Sequence, residues 1–290
     1  MKVILFGATG MVGAGVLRQC LADDRVEPVL VVGRNSSGVA HPKLEEIRNT
    51  DFFDYTAIQP RLAGRDACFF CLGVSSAGMG EAKYRRLTFD LTIAAAQAVL
   101  AVNPQLTFCY VSGTGTDSTE RGRSMWARVK GATENALLRM PFKAAFMFRP
   151  GFIQPLDGIR SKTRFYQAFY TVTGPLYPVL RRLAPGLVTT TTAVGRAMIR
   201  VAADGYSKPI LETTDINALD ETGRTALDWA LTRGETEVAG ILRAADGKAL
   251  VQQSAAPRTP EPPAACAWRF RQRWICWFHR ASPHLNGGSA

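Results

Sequence analysis

The chain opens on an unbroken apolar run of strand length, Lys2 to Phe6 (KVILF), and a glycine-rich stretch, Gly7 to Gly13, follows at once. Behind it, Val12, Val16, Leu17 and Cys20 recur at helical spacing. Short apolar runs return at Val29 to Gly33, Ala67 to Leu72, Leu106 to Val111, Ala144 to Phe148 and Pro209 to Leu211, and each reads as a buried strand. Between them lie helical stretches. Tyr84 to Val102 carries Leu87, Leu91, Ala94, Ala95, Ala98 and Val99 on its apolar side and stops at Asn103-Pro104. Ser124 to Arg139 reads as another helix, and Thr190 as the cap of one that runs through Ala203. Strands alternating with helices predict an α/β fold, a Rossmann-like doubly wound parallel sheet. The pattern changes near Asn217. The expected organisation is a dinucleotide-binding domain over 1–215, a short helical segment over 216–248 and a low-complexity tail over 249–290.

Composition narrows the class. Hydrophobic residues make up 47% of 290, which is ordinary for a globular chain, and no stretch has the roughly 18 uninterrupted apolar residues of a membrane span. The first residues are already a core strand, so no signal peptide is expected. The six cysteines lack a disulfide-scaffold spacing, which predicts a reduced, cytoplasmic protein. Cys68 and Cys71 form a Cys-x-x-Cys, but strand alternation sends them to opposite faces, as core residues. The three histidines stand at 41, 279 and 284, so a His-based zinc site or a Ser-His-Asp triad in the body is excluded, and no metal site is expected. The net charge of +11 points to an anionic partner such as a nucleotide phosphate, nucleic acid or an acidic membrane surface.

The chemistry begins at Gly7-Ala8-Thr9-Gly10-Met11-Val12-Gly13. Strand, glycine turn and helix in this order are the setting of a dinucleotide fingerprint. Gly7 and Gly10 let the main chain come close to a pyrophosphate, Gly13 lets the helix pack tightly, and the helix N-terminus presents free N–H groups to the phosphate. At the tip of the second strand stands Arg34, with no Asp or Glu from Pro28 to Leu44. A carboxylate there would bond a ribose 2′-hydroxyl, whereas an Arg accommodates a 2′-phosphate, so NADP is expected over NAD.

The spacing Gly-x-x-Gly-x-x-Gly, as GATGMVGAG, resembles the atypical branch of the short-chain dehydrogenase/reductase superfamily, with its Tat-interacting-protein relatives and epimerase-like proteins. The resemblance covers about Met1 to Asn217. It implies that Asp51 accepts from the adenine amine and Phe52 lines the ring, against the alternative of a helix-capping Asp. It implies that Gly73 lies beside the cofactor ribose and diphosphate, and that the Arg149-Pro150-Gly151 turn puts Pro150 and Gly151 near the nicotinamide. The strand ending at Val111 should deliver a hydroxyl to the substrate, with Ser112 and Thr114 both candidates. The superfamily's Tyr-x-x-x-Lys puts both side chains on one helix face. Here the run is Trp126-Ala127-Arg128-Val129-Lys130. Lys130 fits, while Trp126 stands at the tyrosine position, and an indole N–H cannot serve as the acid. Tyr166 or Tyr170 could supply a phenol instead.

Two functions therefore stay open. One is an NADP-dependent oxidoreductase or epimerase-like enzyme on a small organic substrate. The other is a catalytically inactive NADP-binding sensor or interaction protein. Arg160, Lys162, Arg164, Arg181 and Arg182 lie among aromatics in 152–190 and offer a lid, an oligomer face, or a basic surface for a peripheral membrane contact or an anionic substrate. Thr225-Ala-Leu-Asp-Trp-Ala230 resembles the start of one ankyrin repeat, a surface for a protein partner. Arg and Trp residues from Trp268 to Arg280 form a cationic aromatic tail, for which a nucleic-acid role is not expected.

Overall fold

The computed structural model describes residues 1–156 and 186–222. Tyr166, Tyr170, the basic-aromatic stretch, the ankyrin-like segment beyond 222 and the tail lie outside the described residues. The chain divides into one compact unit of Met1–Ser76 with Gly80–Gly223 and a second of Ala77–Met79 with Arg224–Ala290.

The centre of the first unit is a seven-stranded, wholly parallel sheet in the order β3-β2-β1-β4-β5-β6-β9. These strands are β1 (Val3–Phe6), β2 (Val29–Gly33), β3 (Leu44–Arg48), β4 (Ala67–Phe70), β5 (Thr107–Val111), β6 (Ala144–Arg149) and β9 (Ile210–Glu212), and a separate parallel pair joins β7 (Phe152–Gln154) to β8 (Val188–Thr190). The apolar runs are continuous because both faces of the sheet are covered. Val3 and Leu5 of β1 join one buried cluster, Ile4 and Phe6 the other. Cys68 packs in the second cluster and Cys71 against the first, on opposite faces as alternation requires. Burial pushes both thiols up.

One face carries α1 (Met11–Ala22) and α5 (Thr191–Asp204), the other α3 (Leu91–Val102) and α4 (Met125–Arg139). Thr190 caps α5, its side chain accepting from the Ala193 amide at 2.9 Å. The helix expected over Tyr84 to Val102 has three parts: α2 (Glu81–Arg85), a π-helical turn (Arg86–Asp90) and α3. Next to that turn, the Thr92 hydroxyl donates to the Thr88 carbonyl at 2.5 Å, a back-bond of the kind that distorts a helix.

The boundary expected at 215 moves outward. α6 (Thr213–Thr222) continues the first unit, with Ile216 and Leu219 buried in the α1/α5-side cluster. The Asn217 side chain donates to the Val188 carbonyl at 2.9 Å, and Arg196 pairs with Asp220 at 3.1 Å. Residues 216–222 thus pack as part of the sheet domain rather than as the beginning of a separate repeat.

Candidate functional site

In an open parallel sheet, ligands bind beyond the carboxyl ends of the strands, and the predicted residues gather at that edge. The glycine turn leads directly from β1 into α1. Gly7 has φ +85°, and a Cβ on it would lie 2.8–2.9 Å from the Cys71 carbonyl group and the Leu72 nitrogen, so glycine is required there. The Gly10 amide donates to the Gly7 carbonyl at 2.9 Å, closing the turn. A Cβ on Gly13 would stand 2.1 Å from the same oxygen, so the helix packs directly on the turn. Gly10 is the N-cap of α1, and no side chain caps the helix. The first-turn amides at Met11 and Val12, beside exposed Thr9, therefore face a bare helix N-terminus, the form of an anion cradle.

Next to this cradle, Arg34 is exposed just past β2. Arg48 ends β3 in register with Gly33 and is exposed as well. The fold also brings back a carboxylate that lies beyond the stretch scanned for acids. Glu46 accepts from Ser36 Oγ at 2.6 Å and from the Ser37 amide and hydroxyl at 2.7 and 2.6 Å. Burial is the largest single influence and raises its pKa, but those bonds and the Arg48 charge together outweigh it and hold Glu46 below the usual carboxylate range.

Asp51 is exposed and caps a local turn, accepting from the Phe53 amide at 2.8 Å. Phe52 is buried in the core, edge-on to Phe6 with ring centroids 6.4 Å apart. The ring expected to line an adenine is thus a core ring, and its exposed neighbour is Phe53, with the Arg86 guanidinium 5.2 Å from its centroid. Gly73 is exposed, and a Cβ there would meet nothing within 4 Å.

The structure separates Ser112 from Thr114. Ser112 is buried at the end of β5, its hydroxyl bonded to Glu134 and to the Phe148 carbonyl at 3.0 Å. Thr114 is half-buried; its hydroxyl donates to the Arg149 carbonyl at 3.0 Å and lies 3.5 Å from that of Thr213. Its amide donates to the Pro150 carbonyl at 2.9 Å, which ties this loop to the Arg-Pro-Gly turn. A Cβ on Gly151 would lie 2.3 Å from the Leu187 carbonyl oxygen, so this glycine permits a close chain approach.

α4 supplies the charge. Lys130 is half-buried, and its Nζ donates to the Ser112 carbonyl at 2.5 Å. Burial lowers its pKa to about 8, against the opposing charge of Glu134 one turn on. Glu134 is fully buried and pairs with Arg149, whose Nε lies 3.0 and 3.1 Å from its two oxygens. Arg149 reaches Ser118 Oγ at 2.5 Å and Glu212 at 3.5 Å. Trp126, half-buried, occupies the preceding turn of α4. Glu134 was not among the residues expected from sequence. Its spacing of four from Lys130 was the available signal, but its partners come from β5 and β6. Among the described residues no group of His, Cys, Asp or Glu could hold a metal ion, and no helix is long and apolar enough to cross a membrane.

Solved structures place this architecture. An oxidoreductase of the short-chain dehydrogenase/reductase family from Burkholderia thailandensis superposes with a TM-score of 0.53 at 15% identity, over 70% of this chain and 85% of that one. The fold is the Rossmann-like one that this enzyme also has. By sequence, the chain is 24% identical over 225 residues to the protein fmp52-2, mitochondrial, of Aspergillus terreus, covering 76% of this chain and 96% of that protein. It is 24% identical over 152 residues to HTATIP2 of Rattus norvegicus, covering 52% and 62% respectively. No family model matches the chain, the ankyrin repeat included. The fungal relative's name overturns the cytoplasmic expectation, which rested on cysteine spacing alone; a mitochondrial protein can equally keep its thiols reduced.

Proposed function

We propose that the chain binds a nicotinamide dinucleotide in the manner of the atypical short-chain dehydrogenases/reductases, prefers NADP(H), and acts on a small organic carbonyl or carbinol. The supporting observation is the uncapped N-terminus of α1, framed by Gly7 and Gly13, on the same strand-end edge as Arg34 and Lys130. The cradle suits a pyrophosphate, because its helix N-terminus has no side-chain cap and either glycine, given a Cβ, would clash with the backbone that shapes the turn. Arg34 and Arg48 would face a 2′-phosphate, and Ser36 and Ser37 bond the Glu46 carboxylate on which the Arg48 charge acts. Lys130 would hold the nicotinamide ribose, with the Pro150–Gly151 turn, Gly73 and Asp51 bounding the cofactor. When bound, the dinucleotide supplies hydride chemistry. Thr114, half-buried where Ser112 is buried, is the more accessible hydroxyl for a substrate oxygen, once it exchanges its bond to the Arg149 carbonyl. The fungal relative's compartment, the mitochondrion, belongs to the same proposal.

A second reading, a NADP(H)-binding protein without turnover, is favoured by Trp126 at the tyrosine position and by the engagement of Ser112 with Glu134. Titration of NADPH and NADH against wild type and Arg34→Ala tests the binding proposal. Removing one charge-assisted contact, worth ~1.5–3 kcal/mol, should weaken NADPH by roughly ten- to a hundred-fold and leave NADH unchanged. Equal affinities for the two cofactors in wild type would refute the NADP assignment.

A further inference from the structure

The proposal rests on a buried network that the dinucleotide reading leaves unused. Glu134 has no solvent exposure, yet it carries a charge deep beside the sheet. A buried carboxylate is costly unless paired and bonded. Arg149, from β6, binds both of its oxygens, and Ser112, from the end of β5, binds one of them. The Ser112 hydroxyl and carbonyl are held at once: the hydroxyl by Glu134, the carbonyl by Lys130. The Ser112 amide donates to the Phe148 carbonyl at 2.8 Å. One residue thus links the buried carboxylate to the half-buried ammonium, and the same carboxylate lies one helical turn from Lys130 on α4.

We propose that Glu134 is the positioning residue of this site: locked by Arg149, its carboxylate fixes the Ser112 segment and so holds the Lys130 ammonium at the end of β5. The role of Lys130 toward a cofactor rests on the reading above; the action of Glu134 on Lys130 does not. Among the described residues, Glu134 is the only charged group that acts on Lys130, with Arg149 behind it and Ser112 between them. Its charge opposes the loss of the lysine's proton caused by burial. Arg149 is therefore a structural counter-ion as well as the first residue of the Arg-Pro-Gly turn, which couples that turn to the same carboxylate.

The test reads Lys130 directly on the full chain. Trinitrobenzenesulfonate modifies neutral amines, and the rate of labelling at Lys130, followed by peptide mass spectrometry across pH 6–11, reports its ionisation. In Glu134→Gln, which keeps the shape and loses the charge, the Lys130 profile should move to lower pH by about one unit or more. Glu134→Asp, which retains the charge, should restore part of the shift. NADPH affinity, measured separately, should fall at least several-fold in Glu134→Gln. An unmoved Lys130 profile in a folded Glu134→Gln protein overturns the positioning role. A moved profile with unchanged NADPH affinity supports it and refutes instead the cofactor role of Lys130. If Glu134→Gln does not fold, Ser112→Ala decides: it cuts the link and leaves the ion pair, so a displaced profile supports the proposal and an undisplaced one overturns it.

Discussion

Gly13→Ala is the sharpest test of the glycine turn. The added methyl would stand 2.1 Å from the Gly7 carbonyl oxygen and 2.5 Å from its carbon, where real Cβ atoms essentially never come under 3.0 Å. Both obstacles are backbone, so no side chain can swing away. The start of α1 must shift by about an ångström, and overpacking of that kind costs ~1–3 kcal/mol. For a unit of this size each kcal/mol lowers the melting temperature by about 2–4 °C, so a fall of roughly 2–12 °C is expected. The same shift takes the first-turn amides away from the phosphate they would cradle. Losing one charge-assisted bond, at ~1.5–3 kcal/mol, weakens NADPH by about ten- to a hundred-fold. The control is Gly73→Ala, where the methyl meets nothing within 4 Å, and melting should match wild type. Differential scanning fluorimetry and a fluorescence titration of NADPH suffice. A Gly13→Ala protein that melts like wild type and binds NADPH equally well would refute the turn geometry and the cradle together.

Lys130→Met tests the buried ammonium. The lysine ionises at about 8 in the fold against an ordinary 10.5 in the unfolded chain, so between those values the unfolded state binds the extra proton. Wild-type stability relative to Lys130→Met should therefore rise from pH 7.5 to 10.5, by up to about 3 kcal/mol; a flat difference in paired denaturant melts would show that Lys130 titrates normally. Ending the chain after residue 215 should abolish cooperative melting, because Ile216 and Leu219 leave the core at ~1.5–3 kcal/mol each, while ending it after 222 should preserve it. Trp126→Tyr places a phenol one turn from Lys130, and on the inactive reading NADPH-dependent carbonyl reduction should appear or grow by about 10²–10⁴-fold. Robust wild-type turnover that survives replacement of Trp126 would favour the enzyme reading.

The central strands were legible because burial on both faces writes them as unbroken apolar runs. β3 was not, since Leu44-Glu45-Glu46-Ile47-Arg48 is an edge strand that buries only Ile47 fully. Missing it hid both Glu46 and Arg48, and with them half of the corner around Arg34. The glycine turn was readable in full, because its constraint is local: each glycine answers to backbone within a few residues or on the adjacent strand. The choice between Ser112 and Thr114 was not local. Two hydroxyls two positions apart look alike until Glu134, twenty-two residues on, takes one of them. The burial of Phe52 was likewise not local, since it depends on Phe6 of β1. The boundary at 215 was set too early because Ile216 and Leu219 serve a helix of the first unit, and a short apolar spacing does not say which body it packs on.

The α1–α5 contact has a consequence for how the protein is made. Gly15 lies against Thr191, and Gly195 against Val16 and Gln19, so closely that a Cβ on either glycine would come within 2.8 Å of its neighbour. α1 leaves the ribosome early, but the helix that covers it is encoded some 180 residues later. At ~5–20 residues per second, the apolar side of α1, with Val16, Leu17 and Cys20, waits on the order of 10–40 s for its cover. The parallel sheet offers no hairpin to shorten that wait, since each neighbouring strand must return by a crossover. The nascent chain therefore passes through a long interval in which its N-terminal half has its strands but not the helix that covers α1, and it should depend on holdase chaperones until α5 arrives.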